Sequence, residues 1–245
     1  MDDALERYDD SHLTRVLAVV AHPDDMEYGG AAAVAQWTRR GAQVAYVLAT
    51  SGEAGIDSMP PEQARPVREA EQRLACAQVG VDDLRFLGCP DGTVEYGLPL
   101  RRAIAAEIRR HRPDTVVTAS FREAWPGGML NQPDHIAVGR AVVDAARDAG
   151  NRWVFPELAQ DGLEPWNGVR TVLALASPRS THAIDVSEGF AAGVASLEAH
   201  RAYLAGLGTD APDPAQLLDR MLGDAGRRLG VRHAVPVEVL ALQLW

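Results

Sequence analysis

The chain alternates short, continuous aliphatic runs with longer segments in which apolar residues return at helical spacing. That rhythm marks strands covered on both faces and joined by crossover helices. Residues 17–20 read as the first strand, 31–40 as a helix stopped by Gly41, and 44–49 as the second strand. Further strands are expected at 84–87, 115–119 and 169–174, and further helices at 61–79, 100–110, 133–149, 187–204 and 215–229. Pro61 and Pro133 stand at helix starts, where a missing N–H leaves no bond unmade. Residues 50–60, 121–131 and 206–214 read as loops, and 237–244 as either a helix or an edge strand. No repeat, low-complexity tract or linker interrupts the pattern. The expectation is one α/β domain over residues 1–245, a Rossmann-like three-layer sandwich with a mostly parallel sheet between helices.

Composition narrows the chemistry. Hydrophobic residues make up 47% of the chain but aromatics only 6%, so the core should be built from small aliphatic side chains. The net charge of −10 argues against a nucleic-acid surface, which needs a basic patch. Lysine is absent from the sequence, which excludes Schiff-base chemistry on a lysine and a phosphate-loop lysine. Cys76 and Cys89 form neither a CxxC pair nor a disulfide framework and read as two reduced thiols. Residues 1–10 are acidic without an apolar signal core, and no run approaches the roughly 20 apolar residues of a membrane span. A soluble, cytoplasmic protein with no membrane partner is expected.

Two segments carry candidate chemistry. His22-Pro23-Asp24-Asp25-Met26-Glu27 follows the first strand directly, where an open α/β sheet presents its ligands. In a tight turn His22 and Asp25 can grip one cation together, with Asp24 beside it as a base; an Asp-rich turn capping the next helix is the alternative. Asn131-Gln132-Pro133-Asp134-His135 opens a later helix at the same sheet edge. His135 would complete a set of two imidazoles and one carboxylate, which leaves positions open for water and substrate. The same set suits zinc, Fe(II) or another divalent ion.

The run Ala21-His22-Pro23-Asp24-Asp25 resembles the A-H-P-D-D signature of the GlcNAc-PI de-N-acetylase (PIG-L, LmbE-like) family. Arg68 and Glu71 before Val79-Gly80-Val81, the stretch Phe86-Leu87-Gly88 with Asp91-Gly92, and Arg112-Pro113-Asp114 resemble further family segments. Pro133-Asp134-His135 resembles the end of the family's second motif, and the likeness runs over roughly residues 15–205. It implies an LmbE-like fold and zinc-dependent hydrolysis of an N-acyl amide, typically N-acetyl. The substrate implied is a small N-acetylglucosamine-like or secondary-metabolite molecule, and relatives are often homo-oligomers. Carried over by position, it makes His22, Asp25 and His135 the zinc ligands and Asp24 the general base for water. Arg68 and Asp91 fall at positions that face substrate, and Glu27 at one that braces the metal loop or caps the helix.

One position departs from the pattern. The family's second motif is commonly H-x-D-H, and its first histidine steadies the tetrahedral intermediate and protonates the leaving amine. Gln132 stands there instead, and Asp134, which braces that histidine in relatives, loses its usual partner. Either Asp24 carries the proton both ways, or another histidine such as His182 reaches in, or the protein binds metal with weak or no deacetylase activity. Trp125 and Trp166 are candidates for stacking on a sugar face.

Overall fold

The computed structural model describes residues 4–208 and 211–242. Alternation decides which side of the sheet each strand residue serves. In β2 (Arg15–Val20), Val16, Ala18 and Val20 join one core while Leu17 and Val19 join the other. β3 (Gln43–Leu48) divides the same way, with Val44, Tyr46 and Leu48 facing one layer and Ala45 and Val47 the opposite one. Both strands are therefore buried on two faces, which is why they read as unbroken aliphatic runs.

One helical layer comprises α1 (Gly30–Arg39), α2 (Pro61–Gln78), α6 (Phe190–Glu198) and α8 (Pro214–Leu229). The other comprises α3 (Leu98–His111), α4 (Pro133–Asp148) and the short α5 (Glu157–Gln160). The alanine-rich α1 is buried from Gly30 to Trp37, and α6 crosses it closely. A Cβ on Gly193 would lie 2.9 Å from Ala32 Cβ, so that approach needs glycine.

The remaining strands are β1 (Glu6–Arg7), β4 (Asp83–Phe86), β5 (Thr115–Ala119), β6 (Thr171–Leu175), β7 (His182–Asp185) and β8 (Ala234–Ala241). The eight-stranded sheet has the order β1-β7-β8-β6-β5-β2-β3-β4. Every pairing is parallel except those of β8, which runs antiparallel to both β6 and β7. The α/β class and the mostly parallel sheet agree with the sequence pattern. From β2 the chain moves outward to β3 and β4, then returns to place β5 on the other side of β2. The carboxyl ends of β2 and β5 therefore form a topological switch point, the crevice where such sheets hold ligands.

Four local features differ from the sequence expectation. β1, β7 and α5 are two to four residues long, too short to show a period. The segment 234–241 is an interior strand rather than an edge strand or helix; residues 243 and 244 of the expected element lie outside the described residues. The expected 206–214 loop likewise includes Thr209 and Asp210, which lie outside them. The expected helix 187–204 is two helices, α6 and α7 (Arg201–Gly206), broken at the fully buried His200. The Glu71 carboxylate on α2 accepts the backbone N–H groups of Ala202 and Tyr203 at the start of α7. It thus satisfies helix-end donors that a continuous helix would have used internally.

Candidate active site

The β2 carboxyl end delivers His22 into a tight turn, and the loop after β5 delivers His135 in the first turn of α4. His22 Nδ1 lies 3.2 Å from His135 Nε2, His135 Nε2 lies 3.0 Å from Asp25 Oδ1, and His22 Nδ1 lies 3.7 Å from that oxygen. Two donors bound to one zinc at tetrahedral angles stand roughly 3.3–3.6 Å apart, so these separations bracket an ion-sized cluster. All three residues are buried or nearly so.

The surrounding hydrogen bonds set which atoms face inward. Asn131 Nδ2 donates to the carbonyls of Ser120 and Arg122, so its Oδ1 is the acceptor 2.8 Å from His135 Nδ1. His135 Nδ1 therefore carries the proton and Nε2 a lone pair. His22 Nε2 faces Asp91 Oδ1 at 3.1 Å and Asp134 Oδ2 at 3.3 Å, which puts its proton there and a lone pair on Nδ1. Asp25 Oδ2 accepts the N–H groups of Ala21 and His22, both at 2.9 Å, leaving Oδ1 turned to the histidines. Two lone pairs and a carboxylate oxygen thus converge with no proton assigned between them. That arrangement calls for a cation, and carboxylate or amide partners on the outer ring nitrogens are the usual supports of histidine ligands.

Electrostatics point the same way. Burial lowers the His22 pKa, but hydrogen bonds to Asp134, Asp25 and Asp91 overcome it and push the imidazole up to about 12. Burial raises Asp25, and His135 and His22 outweigh it to hold the carboxyl well below its usual range. The pocket is built to be occupied by positive charge.

Asp24 sits beside this cluster, 5% exposed, at φ 78°, a left-handed conformation unusual for a residue with a side chain. Strain of this kind costs about 1–3 kcal/mol and persists only where neighbours over-determine it. Here Gln72 Oε1 accepts the Asp24 N–H at 3.0 Å, and the Asp24 carbonyl accepts the N–H groups of Glu27 and Tyr28. Arg68 places Nη1 and Nη2 each 3.2 Å from Asp24 Oδ2 and Nη2 3.0 Å from the Pro23 carbonyl, with its guanidinium 4.0 Å over the Tyr203 ring. Asp24 Oδ1 is left without a protein partner among the described residues. Burial pushes the Asp24 carboxyl up to about 6, with Arg68 pulling down and Asp25 adding to the rise. Gly52 must be glycine for Arg68 to pass, since a Cβ there would meet the guanidinium at 2.9 Å.

The other residues singled out by sequence fall as follows. Arg68 and Asp91 both line the cavity, but Arg68 is committed to Asp24 rather than to its helix neighbours. Asp91 holds His22 and accepts the Ala54 N–H, tying residues 50–60 to the site. Asp134 turns to His22 and accepts the N–H groups of Gly92 and Val94, so it has a partner without a histidine at 132. Gln132 caps the start of α4 at the exposed mouth of the cavity, its side-chain amide unpaired among the described residues. Glu27 faces away, into a buried cluster with Gln72, Ser196 and His200. His182 does not reach the site: it lies on β7 against Thr181 and Glu6. Trp125 packs edge-on to His135 at 5.7 Å, whereas Trp166 lies outside this cavity beneath Arg15. Cys76 and Cys89 are free thiols.

Sequence reading missed Asn131 and Gln72. A signal for Gln72 was available: Arg68, Gln72 and Cys76 repeat at four-residue spacing, a buried stripe on α2 interrupted by polar side chains. Gln72→Leu is expected to strand the buried Asp24 N–H and lower stability by about 1–3 kcal/mol in chemical denaturation; an unchanged midpoint would contradict the bracing role.

A protein-family model described as PIG-L, GlcNAc-PI de-N-acetylase, matches residues 17–146. The chain belongs to that family. It is 37% identical over 137 residues to the probable N-acetyl-alpha-D-glucosaminyl L-malate deacetylase 2 of Bacillus anthracis, covering 53% of this chain and 58% of the relative. With the 1D-myo-inositol 2-acetamido-2-deoxy-alpha-D-glucopyranoside deacetylase of Streptomyces avermitilis it shares 33% over 180 residues, 62% of this chain and 58% of the relative. The chain thus spans under two thirds of the length of these relatives. Among solved structures, the N,N'-diacetylchitobiose deacetylase of Pyrococcus horikoshii superposes with a TM-score of 0.82 over 94% of this chain and 85% of its own; at 20% identity it establishes the shared fold. No described helix is long and apolar enough to cross a membrane.

Proposed function

We propose that the protein is a zinc-dependent N-deacetylase acting on an N-acetylated amino sugar or a conjugate of one. The observation that carries this reading is the convergence of three ligand atoms, 3.0–3.7 Å apart, beside an aspartate with one uncommitted oxygen. A divalent ion held by His22, Asp25 and His135 supplies Lewis-acid polarisation of an amide carbonyl and acidifies water. Asp24 Oδ1 takes the proton of the attacking water, with Oδ2 fixed by Arg68, and returns it to the departing amine. Water and amide become carboxylate and free amine. The Gln132 amide donates to the carbonyl oxygen as charge builds there, a contribution worth on the order of 100-fold or more in rate. Asp91 and Asp134 keep His22 oriented throughout, and Asn131 does the same for His135.

A free-amine assay on N-acetylglucosamine glycosides with zinc supplied tests the reading; no amine release from any of them overturns it. Gln132→Ala is expected to lower kcat about 100-fold with little change in KM. Gln132 also motivates a second reading, a metal-binding family member with weak turnover, because an amide cannot deliver a proton. Under that reading the wild-type rate is already low and Gln132→Ala leaves it where it was.

A further inference from the structure

The cavity that holds the candidate cation site has a volume of about 1440 Å³, above the roughly 300–1,000 Å³ typical of small-molecule sites. Its catalytic end is bounded by His22, Asp24, His135 and Gln132. A second limb runs away from them between the ends of β6 and β8 and one face of α8. Leu175, Pro178, Met221, Leu222, Val235 and Pro236 wall this limb. Its open volume exists because Gly29, Gly30, Ala176 and Ala225 carry little or no side chain along it.

The polar groups in that limb are already engaged. Ser177 donates its hydroxyl to Glu238 at 2.5 Å, and Ser180 donates to the Ser177 carbonyl at 2.7 Å. Arg227 is paired with Asp224, and Arg228 has an interaction of its own. Little is left to bind the hydroxyls of a polyol or the carboxylates of a small acid, although the two relatives named above are deacetylases of inositol- and malate-bearing glucosaminides. Met221, 40% exposed on α8, instead offers an adaptable apolar contact.

We infer that the limb seats an apolar aglycone, so that the substrate is an N-acylated amino sugar carrying an alkyl or aryl group. This rests on the deacetylase reading for what occupies the other end. Each buried methylene is worth roughly fourfold in affinity, so partial burial of an alkyl chain produces a measurable gain.

Calorimetric dissociation constants for the methyl and octyl glycosides of N-acetylglucosamine test the inference, using the full chain with metal withheld so that nothing turns over and the octyl compound below its micelle concentration. The octyl glycoside is expected to bind at least tenfold more tightly. Met221→Glu should bring the ratio close to one, and Met221→Leu should keep it. Equal dissociation constants in the wild type, or a ratio that survives Met221→Glu, overturn the inference. Zinc-supplied amine release from the methyl glycoside is a separate arm: its failure removes the deacetylase reading, while the ratio still decides whether the limb takes apolar groups.

Discussion

Asp24→Asn is expected to keep its metal and lose turnover by a factor of about 10² to 10⁴, the span that a positioned proton-transfer group contributes. Asparagine preserves the volume and can still meet Arg68 through its side-chain oxygen. What disappears is the second carboxylate oxygen, the one without a protein partner among the described residues. The three proposed ligands do not include Asp24, so metal content measured on the purified variant should equal that of the wild type. Because the Asp24 backbone is fixed by Gln72, Glu27 and Tyr28 through main-chain atoms, the strained turn should survive the change. A variant that retains most of its amine release would remove Asp24 from the reaction; one that loses its metal would place it among the ligands.

His135→Ala should abolish both metal retention and turnover. Alanine leaves His22 Nδ1 and Asp25 Oδ1 facing a gap, and two donors do not hold a zinc ion as three do. It also strands Asn131 Oδ1, whose remaining contact is the N–H of Gln132. Metal analysis after purification without added ions reads the loss and, in the wild type, separates zinc from iron. Full occupancy in His135→Ala would rule out the cluster as drawn.

Much of this architecture is legible along the chain because β2, β3 and β5 are covered on both faces and α1 to α4 are long enough to show a period. Where the sequence misleads, tertiary contacts decide. Pro236 argues against an interior strand, since it cannot donate to a ladder. It is tolerated because the β6 pairing covers 237–241 only, so Pro236 lies beyond its end and faces β7 alone. The break at His200 follows from Glu71, a carboxylate more than a hundred positions away. At the site, the residues bearing the family signature could be named from sequence, since a strand end and a helix start announce themselves. The orienting contacts could not: that Asp134 turns to His22 while Arg68 turns to Asp24 depends on distances no spacing encodes.

The placement of β8 between β6 and β7, running against both, has a consequence for biosynthesis. Of the described strands it is the last to leave the ribosome, so a nascent chain carries β6 with a bare row of backbone donors and acceptors until residues 234–241 emerge. The half bearing His22 and His135 has its strand neighbours by then, while β1 and β7 wait undocked. A chain arrested in that interval is a half-sheet with an adhesive rim, a substrate for chaperones.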